Sequence, residues 1–237
     1  MIILCSPTKT MRKTSQPGIS QPLFPAMVSH LQHLMVDAGV ELIQKSLKIN
    51  DKLAKECYEN FVEFKADRLA LEAFNGLQFK QLALESLNDA QRNYAYEHVH
   101  ILSGLYGILR ASDNIAPYRL DYENVIAKQK IIDFHRENVN AYLQAKDQVI
   151  IDLCSQEYSQ ILEVEHIRID FLEANLKSKA TNSKIQRGKM LRYCIEKMIM
   201  DPNELQNYQE DDYHYRQDIS TKDHWIFVKG GKNDESK

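Results

Sequence analysis

Val149-Ile150-Ile151-Asp152-Leu153, followed by Cys154-Ser155-Gln156, decides the fold. A short apolar run rich in β-branched side chains that stops in a polar turn is the pattern of a central strand in a sheet. The same pattern occurs twice more. Ile2-Ile3-Leu4-Cys5 runs into Ser6-Pro7, and Val99-His100-Ile101-Leu102 runs into Ser103-Gly104. Each run ends in serine and then turns polar. In open α/β sheets, ligands bind beyond the carboxyl ends of the strands. Ser6, Ser103 and Ser155 are therefore expected to line one crevice.

Between and beyond these runs the spacing turns helical. Pro25 stands where a first helical residue would, and Met27, Val28, Leu31, Leu34 and Met35 follow with helical period until Gly39. A second helix is expected through Leu42, Ile43 and Leu47, and a third after Asn50 as N-cap, through Leu53, Cys57 and Phe61. Leu69–Phe74 reads as a strand broken at Asn75-Gly76. Asn88 is placed to cap a helix through Tyr96, and Asp133–Leu143 is expected to be helical. His166–Leu172 alternates as a strand, Lys184–Met200 forms a helix stopped by Pro202, and Tyr213–Ile219 and Trp225–Val228 pair as late strands. The interleaving predicts an α/β (mixed α+β) fold with a central sheet and surrounding helices. One domain is expected over residues 1–229, with a frayed tail over 230–237.

The 237 residues are 43% hydrophobic and 27% charged, an ordinary globular balance able to bury a large core. No run of about 18 apolar residues occurs, which argues against a membrane span. The N-terminal segment lacks a basic n-region, so a cytoplasmic protein is expected. Cys5, Cys57, Cys154 and Cys194 form no C-x-x-C pair and have no zinc-like spacing with histidine, so reduced, buried thiols are expected. His98 and His100 alternate as metal ligands might on one strand face, but no carboxylate or third ligand accompanies them, and no metal is expected. No Gly-rich nucleotide loop is present and no cofactor is expected. The net charge of -3 counts against a dedicated nucleic-acid binder unless the cations cluster locally.

They do cluster in sequence. Lys184-Ile185-Gln186-Arg187-Gly188 opens a helix in which Lys184 and Arg187 fall on the apolar face at about 100° per residue. Two cations there need a partner, and a phosphate or carboxylate at a helix start would supply it. Equally, the helix could start later, with both side chains reaching water. Each serine is followed by charged or aromatic groups: Lys9 after Ser6, Tyr106 and Arg110 after Ser103, Glu157 and Tyr158 after Ser155. In Ser103-Gly104-Leu105-Tyr106-Gly107, the paired glycines allow a tight turn that exposes N–H groups to an anion.

Leu102-Ser103-Gly104-Leu105-Tyr106-Gly107-Ile108-Leu109-Arg110, continuing to Asp113 and Pro117-Tyr118-Arg119-Leu120, resembles the peroxide-stress YaaA family. Ser6-Pro7-Thr8-Lys9-Thr10 looks like that family's S-P-A-K-T, and Leu153-Cys154-Ser155-Gln156-Glu157-Tyr158 like its L-A-S-x-E-Y. Lys184 with Arg187-Gly188 and Met190 looks like its K-K-A-R-G-x-M. The chain departs at Phe74–Leu82, where Leu77 and Phe79 replace the family's Asp and Tyr. The resemblance implies a cantaloupe-type fold, a helix–hairpin–helix-like element at Ser103–Gly107, a positively charged cleft, DNA binding, and a role in limiting peroxide and iron damage.

Two functions are expected from these residues. One is a monomeric DNA-binding protein whose contacts come from Ser6, Lys9, Ser103, Gly104, Tyr106, Gly107, Arg110, Tyr118, Arg119, Ser155, Lys184, Arg187 and Gly188. The other is an enzyme acting on a nucleobase or nucleotide-like small molecule in the same cleft, with Glu157 as general acid/base.

Overall fold

The computed structural model describes residues 1–13 and 15–230. In chain order the elements are β1 (Ile2–Cys5), α1 (Pro25–Leu47), α2 (Asp51–Glu63), β2 (Arg68–Leu69), α3 (Ala70–Ala73), α4 (Leu77–Lys80), α5 (Asp89–His98), β3 (Val99–Ser103) and β4 (Gly107–Arg110). Then follow β5 (Asn114–Ile115), β6 (Val125–Ile126), β7 (Gln129–Lys130), α6 (Ile131–Lys146), β8 (Ile150–Leu153) and α7 (Gln156–Ser159). The last are β9 (Ile167–Leu172), α8 (Ala180–Lys197), β10 (Tyr213–Tyr215) and β11 (His224–Lys229).

Seven strands form one sheet in the order β10-β11-β9-β8-β1-β3-β4. β1 lies between β3 and β8, parallel to both. β9 and β11 continue the parallel set, whereas β4 and β10 are antiparallel edges. All four residues of β1 and of β8, and all five of β3, are buried. That is why these segments read as unbroken apolar runs rather than alternating ones. From β1 the chain builds outward to β3 and β4, then returns to the other side of β1 for β8 and β9. The sheet therefore reverses its order beside β1, and the crevice lies beyond the strand ends there.

The helices follow their caps. Asn50 accepts from Leu53 N at 2.9 Å. Asn88 and Gln91 close a reciprocal capping box at 2.9 and 3.1 Å. The two helices expected around Gly39 are one kinked helix, α1, because Gly39 takes φ +66° and lets the chain resume its helical course. The strand expected over Leu69–Phe74 shrinks to β2, since Ala70–Ala73 coils into α3 and Phe74 bridges Met11. β10 and β11 pair antiparallel, as the late strands were expected to. Among the described residues no helix is long and apolar enough to cross a membrane. The frayed tail expected over 230–237 lies outside the described residues except for Gly230, whose N–H donates to Asp212 O at 2.7 Å.

Candidate functional site

Ser6, Ser103 and Ser155 follow or end three adjacent strands, so the sheet brings all three to one edge. Ser6 Oγ accepts from Ser155 N at 2.8 Å and lies 3.3 Å from Ser155 Oγ. Ser103 is fully buried and committed: its hydroxyl is 2.7 Å from Tyr118 OH and accepts from Tyr106 N at 3.0 Å. Tyr106 is buried too, with its hydroxyl accepting from Ala116 N. Tyr118 and Tyr106 thus pin the turn and the following loop. Ser6 is buried as well, and Ser155 is half-buried beside it.

Glu157 stands in the first turn of α7, directly after Ser155. It is half-buried, and its Oε1 is buried without a hydrogen-bond partner. Burial pushes its carboxyl above the usual carboxylate range. Asp121 and Glu123 push the same way, and Lys9 and Lys184 partly oppose them. The adjacent Tyr158 hydroxyl donates to Asp121 Oδ1 at 2.7 Å, and Lys9 Nζ lies 3.5 Å from Asp121 Oδ2. Lys9, Asp121, Glu157 and Tyr158 are therefore neighbours beyond the strand ends, with Lys184 close enough for its charge to act on Glu157.

Lys184 and Arg187 part company. α8 begins at Ala180, so the free N–H groups of its first turn precede both residues, and the expected coincidence of cations with a helix start does not occur. Lys184 is exposed; Arg187 is 8% exposed and donates to Asp170 Oδ1 at 3.0 Å. Asp170 also accepts from Arg168 Nε at 2.8 Å and lies 3.0 Å from His224 Nε2. Burial alone would raise Asp170, but Arg168, Arg187 and His224 together hold its carboxyl below the usual range. Gly188 serves packing: a Cβ there would sit 2.3 Å from Gln78 O of α4.

Arg110 is not at this edge. It pairs with His100, toward the start of β3, and its guanidinium is locked to the buried Asp113 at 2.8 Å. Arg119 Nη1 reaches Lys9 O at 3.4 Å, and both residues line a groove of about 390 Å³ with Arg12, Lys13 and Arg68. Glu56 is the one acid among the lining residues. Arg12 and Lys13 are exposed and make no ion pair among the described residues. A larger cavity of about 1190 Å³ opens at the opposite end of the sheet, between His166, Arg168 and His224. Its lining carries four carboxylates, Asp147, Glu163, Glu165 and Asp223, against Arg168 and Lys222, and none of the expected site residues lines it.

The two histidines expected to share a strand face do not. His98 ends α5 and its Nδ1 lies 2.8 Å from Met1 O, while His100 Nε2 faces Tyr142 OH at 2.9 Å. The four thiols are buried, and burial raises each of them, Cys57 and Cys194 to about 12. None is poised as a thiolate nucleophile.

A family model described as peroxide stress protein YaaA matches residues 1–219. The chain belongs to the YaaA family. A UPF0246 protein of Finegoldia magna is 34% identical over 244 aligned residues, covering 97% of this chain and 98% of the relative. One of Crocosphaera subtropica is 31% identical, covering 97% of this chain and 100% of the relative. One of Parabacteroides distasonis is 29% identical with the same coverage. The YaaA match takes in every expected site residue and stops short of β11. One expectation carried by the YaaA resemblance fails. Ser103–Gly107 joins two strands, with Ser103 paired to Gly107 across the β3–β4 hairpin, so it is not a helix–hairpin–helix element. Gly104 is packed against Leu120 O, and Gly107 takes φ +73° beside His135. The turn's polar groups face the interior rather than a ligand.

Sequence reasoning missed Arg12, Lys13, Arg68, Gln78 and Asp121; it noted Asp170 as a carboxylate on a strand but could not pair it. Asp121 directly follows the Pro117–Leu120 string, which was the available signal. The others had none.

Proposed function

We propose that this YaaA-family protein binds the phosphate backbone of nucleic acid along the groove of Lys9, Arg12, Lys13, Arg68 and Arg119, and limits peroxide damage there. The observation that supports it is the concentration of five cations against Glu56 in one groove of a chain whose net charge is -3. Local charge, not the sum, sets the attraction for phosphate. Ser103–Gly107 takes no part in this reading; Lys9 and Arg119 keep the roles expected of them.

The test is fluorescence anisotropy of labelled duplex and branched DNA at several salt concentrations. Affinity should fall steeply with salt, and Arg12→Ala and Arg119→Ala should each weaken binding to all sequences alike and flatten the logarithmic salt slope by about one. Salt-independent binding, or none at micromolar protein, would defeat the reading.

A specific observation also favours an enzyme. A half-buried glutamate with an unpartnered, buried oxygen and a raised pKa is suited to general acid catalysis. The protonated form then persists above the usual carboxylate range, so turnover of a nucleotide should fall as pH rises through that raised value. Glu157→Gln should cost about 100-fold or more. Turnover that survives in Glu157→Gln removes the role.

A further inference from the structure

Lys9 belongs to two places at once. It lines the cationic groove, and its ammonium lies 3.5 Å from Asp121, beside Glu157. A phosphate held at Lys9 in the groove would therefore lie near two carboxylates. Those carboxylates differ. Asp121 accepts from Tyr158 OH at 2.7 Å and pairs with Lys9. Its backbone N–H donates to Asn124 Oδ1 at 2.7 Å, which fixes the loop that carries it. Glu157 has no partner on its buried oxygen. Two unlike carboxylates are what hydrolysis at an anomeric carbon requires: one gives a proton to the leaving group, the other takes one from water.

Two buried donors on α4 and α8 are also unpartnered. Gln78 and Arg187, 6% and 8% exposed, keep buried side-chain donors without partners, Nε2 and Nε. They flank the α4–α8 contact, where Gly188 abuts Gln78, one turn along α8 from Lys184. Buried donors are nearly always satisfied.

We propose that Asp121 and Glu157 form a catalytic carboxylate pair that hydrolyses the N-glycosidic bond of a nucleotide or of a nucleotide within nucleic acid, with the phosphate held in the Lys9–Arg119 groove. This rests on the reading of Glu157 as a general acid. Water adds to C1′ and gives a proton to Asp121. The C1′–N bond breaks, its electron pair goes to the ring nitrogen, and Glu157 protonates that nitrogen. Asp121 returns a proton to solvent and Glu157 regains one. The products are a free base and a sugar with a C1′ hydroxyl, so one water is consumed and nothing is oxidised or reduced.

The experiment incubates the full chain with nucleoside 5′-monophosphates and with single-stranded and duplex oligonucleotides carrying natural and oxidised bases, and follows free base by chromatography. Wild type should release base from at least one. Asp121→Asn and Glu157→Gln should each lower kcat by about 100-fold or more with KM little changed, and the double variant should lose no more than either single one, because the pair acts as a unit. Tyr158→Phe, which removes a donor to Asp121 without touching the carboxylates, should give an intermediate loss and a shifted pH profile. Carbon-13 NMR of the Glu157 carboxyl gives a readout without turnover: Asp121→Asn should lower its titration point. Loss of release in Glu157→Gln but not in Asp121→Asn overturns the pair and leaves the general-acid reading standing. Release unaffected by either variant overturns both. No release from any probe overturns the pair, and a Glu157 that titrates in the usual carboxylate range then overturns the general-acid reading as well.

Discussion

Asp170→Ala should lower the stability of the chain by about 2–3 kcal/mol, measured by urea denaturation, because removing the centre of a partly buried ion cluster leaves the buried Arg187 uncompensated. Asp170 accepts from Arg168 and Arg187, and His224 lies within hydrogen-bond distance. Without it, Arg187, nine-tenths buried, loses its ion-pair partner, and Arg168 keeps only the longer 3.8 Å approach to Asp152. Asp152 cannot turn to help, since it already accepts from Cys154 N and the Ser159 hydroxyl. The deficit should depend on pH in a defined direction. The folded-state pKa of Asp170 lies below that of the unfolded chain. Its contribution is therefore complete above the ordinary carboxylate range and is lost as pH falls through the depressed value. The gap between wild type and variant should narrow on acidification. A loss below about 1 kcal/mol at neutral pH, the scale of an exposed pair, would show that the cluster is solvent-screened instead.

The sheet was legible because its inner strands are buried on both faces, and burial of that kind writes itself as a continuous apolar run. Ile2–Cys5, Val99–Ser103 and Ile150–Leu153 needed no tertiary knowledge. The same runs delivered Ser6 and Ser155 to the crevice, since a strand that must end does so in a polar turn. Legibility failed where two local preferences competed. Ala70-Leu71-Glu72-Ala73 carries enough helix propensity to coil as soon as the short β2 pairing ends. Periodicity placed Lys184 and Arg187 on one face, but Ser183, Gln186, Arg187, Met190 and Leu191 form the buried side of α8, and Lys184 lies outside it. The partners of Asp121 and Asp170 were invisible for another reason. Asp121 sits in a loop and acquires its meaning from Tyr158, 37 positions away, and Asp170 from Arg187, 17 positions away. No periodicity encodes a contact made by folding.

Gly188→Ala tests how α8 is held against the crevice, and its expected sign runs against helix propensity. In an exposed helix, alanine is better than glycine by about 1 kcal/mol. Within α8 the new Cβ would lie 2.3 Å from Gln78 O, 3.0 Å from Gln78 C and 2.9 Å from the Gln81 Cβ. Two of those atoms are backbone and cannot rotate away, so α4 and α8 must separate. Overpacking of this kind costs about 1–3 kcal/mol, and α4 has a single turn with which to absorb the movement. The net change should be a loss of about 1–2 kcal/mol by urea denaturation, the clash outweighing the gained propensity. Because Gln78 rides on α4 and Arg187 precedes Gly188, the same substitution should displace both unpartnered donors, while affinity for duplex DNA in the Lys9–Arg119 groove is retained. Increased stability would mean that the two helices are not in contact as described. Loss of DNA affinity as well would mean that the α4–α8 contact and the groove are one mechanical unit rather than two.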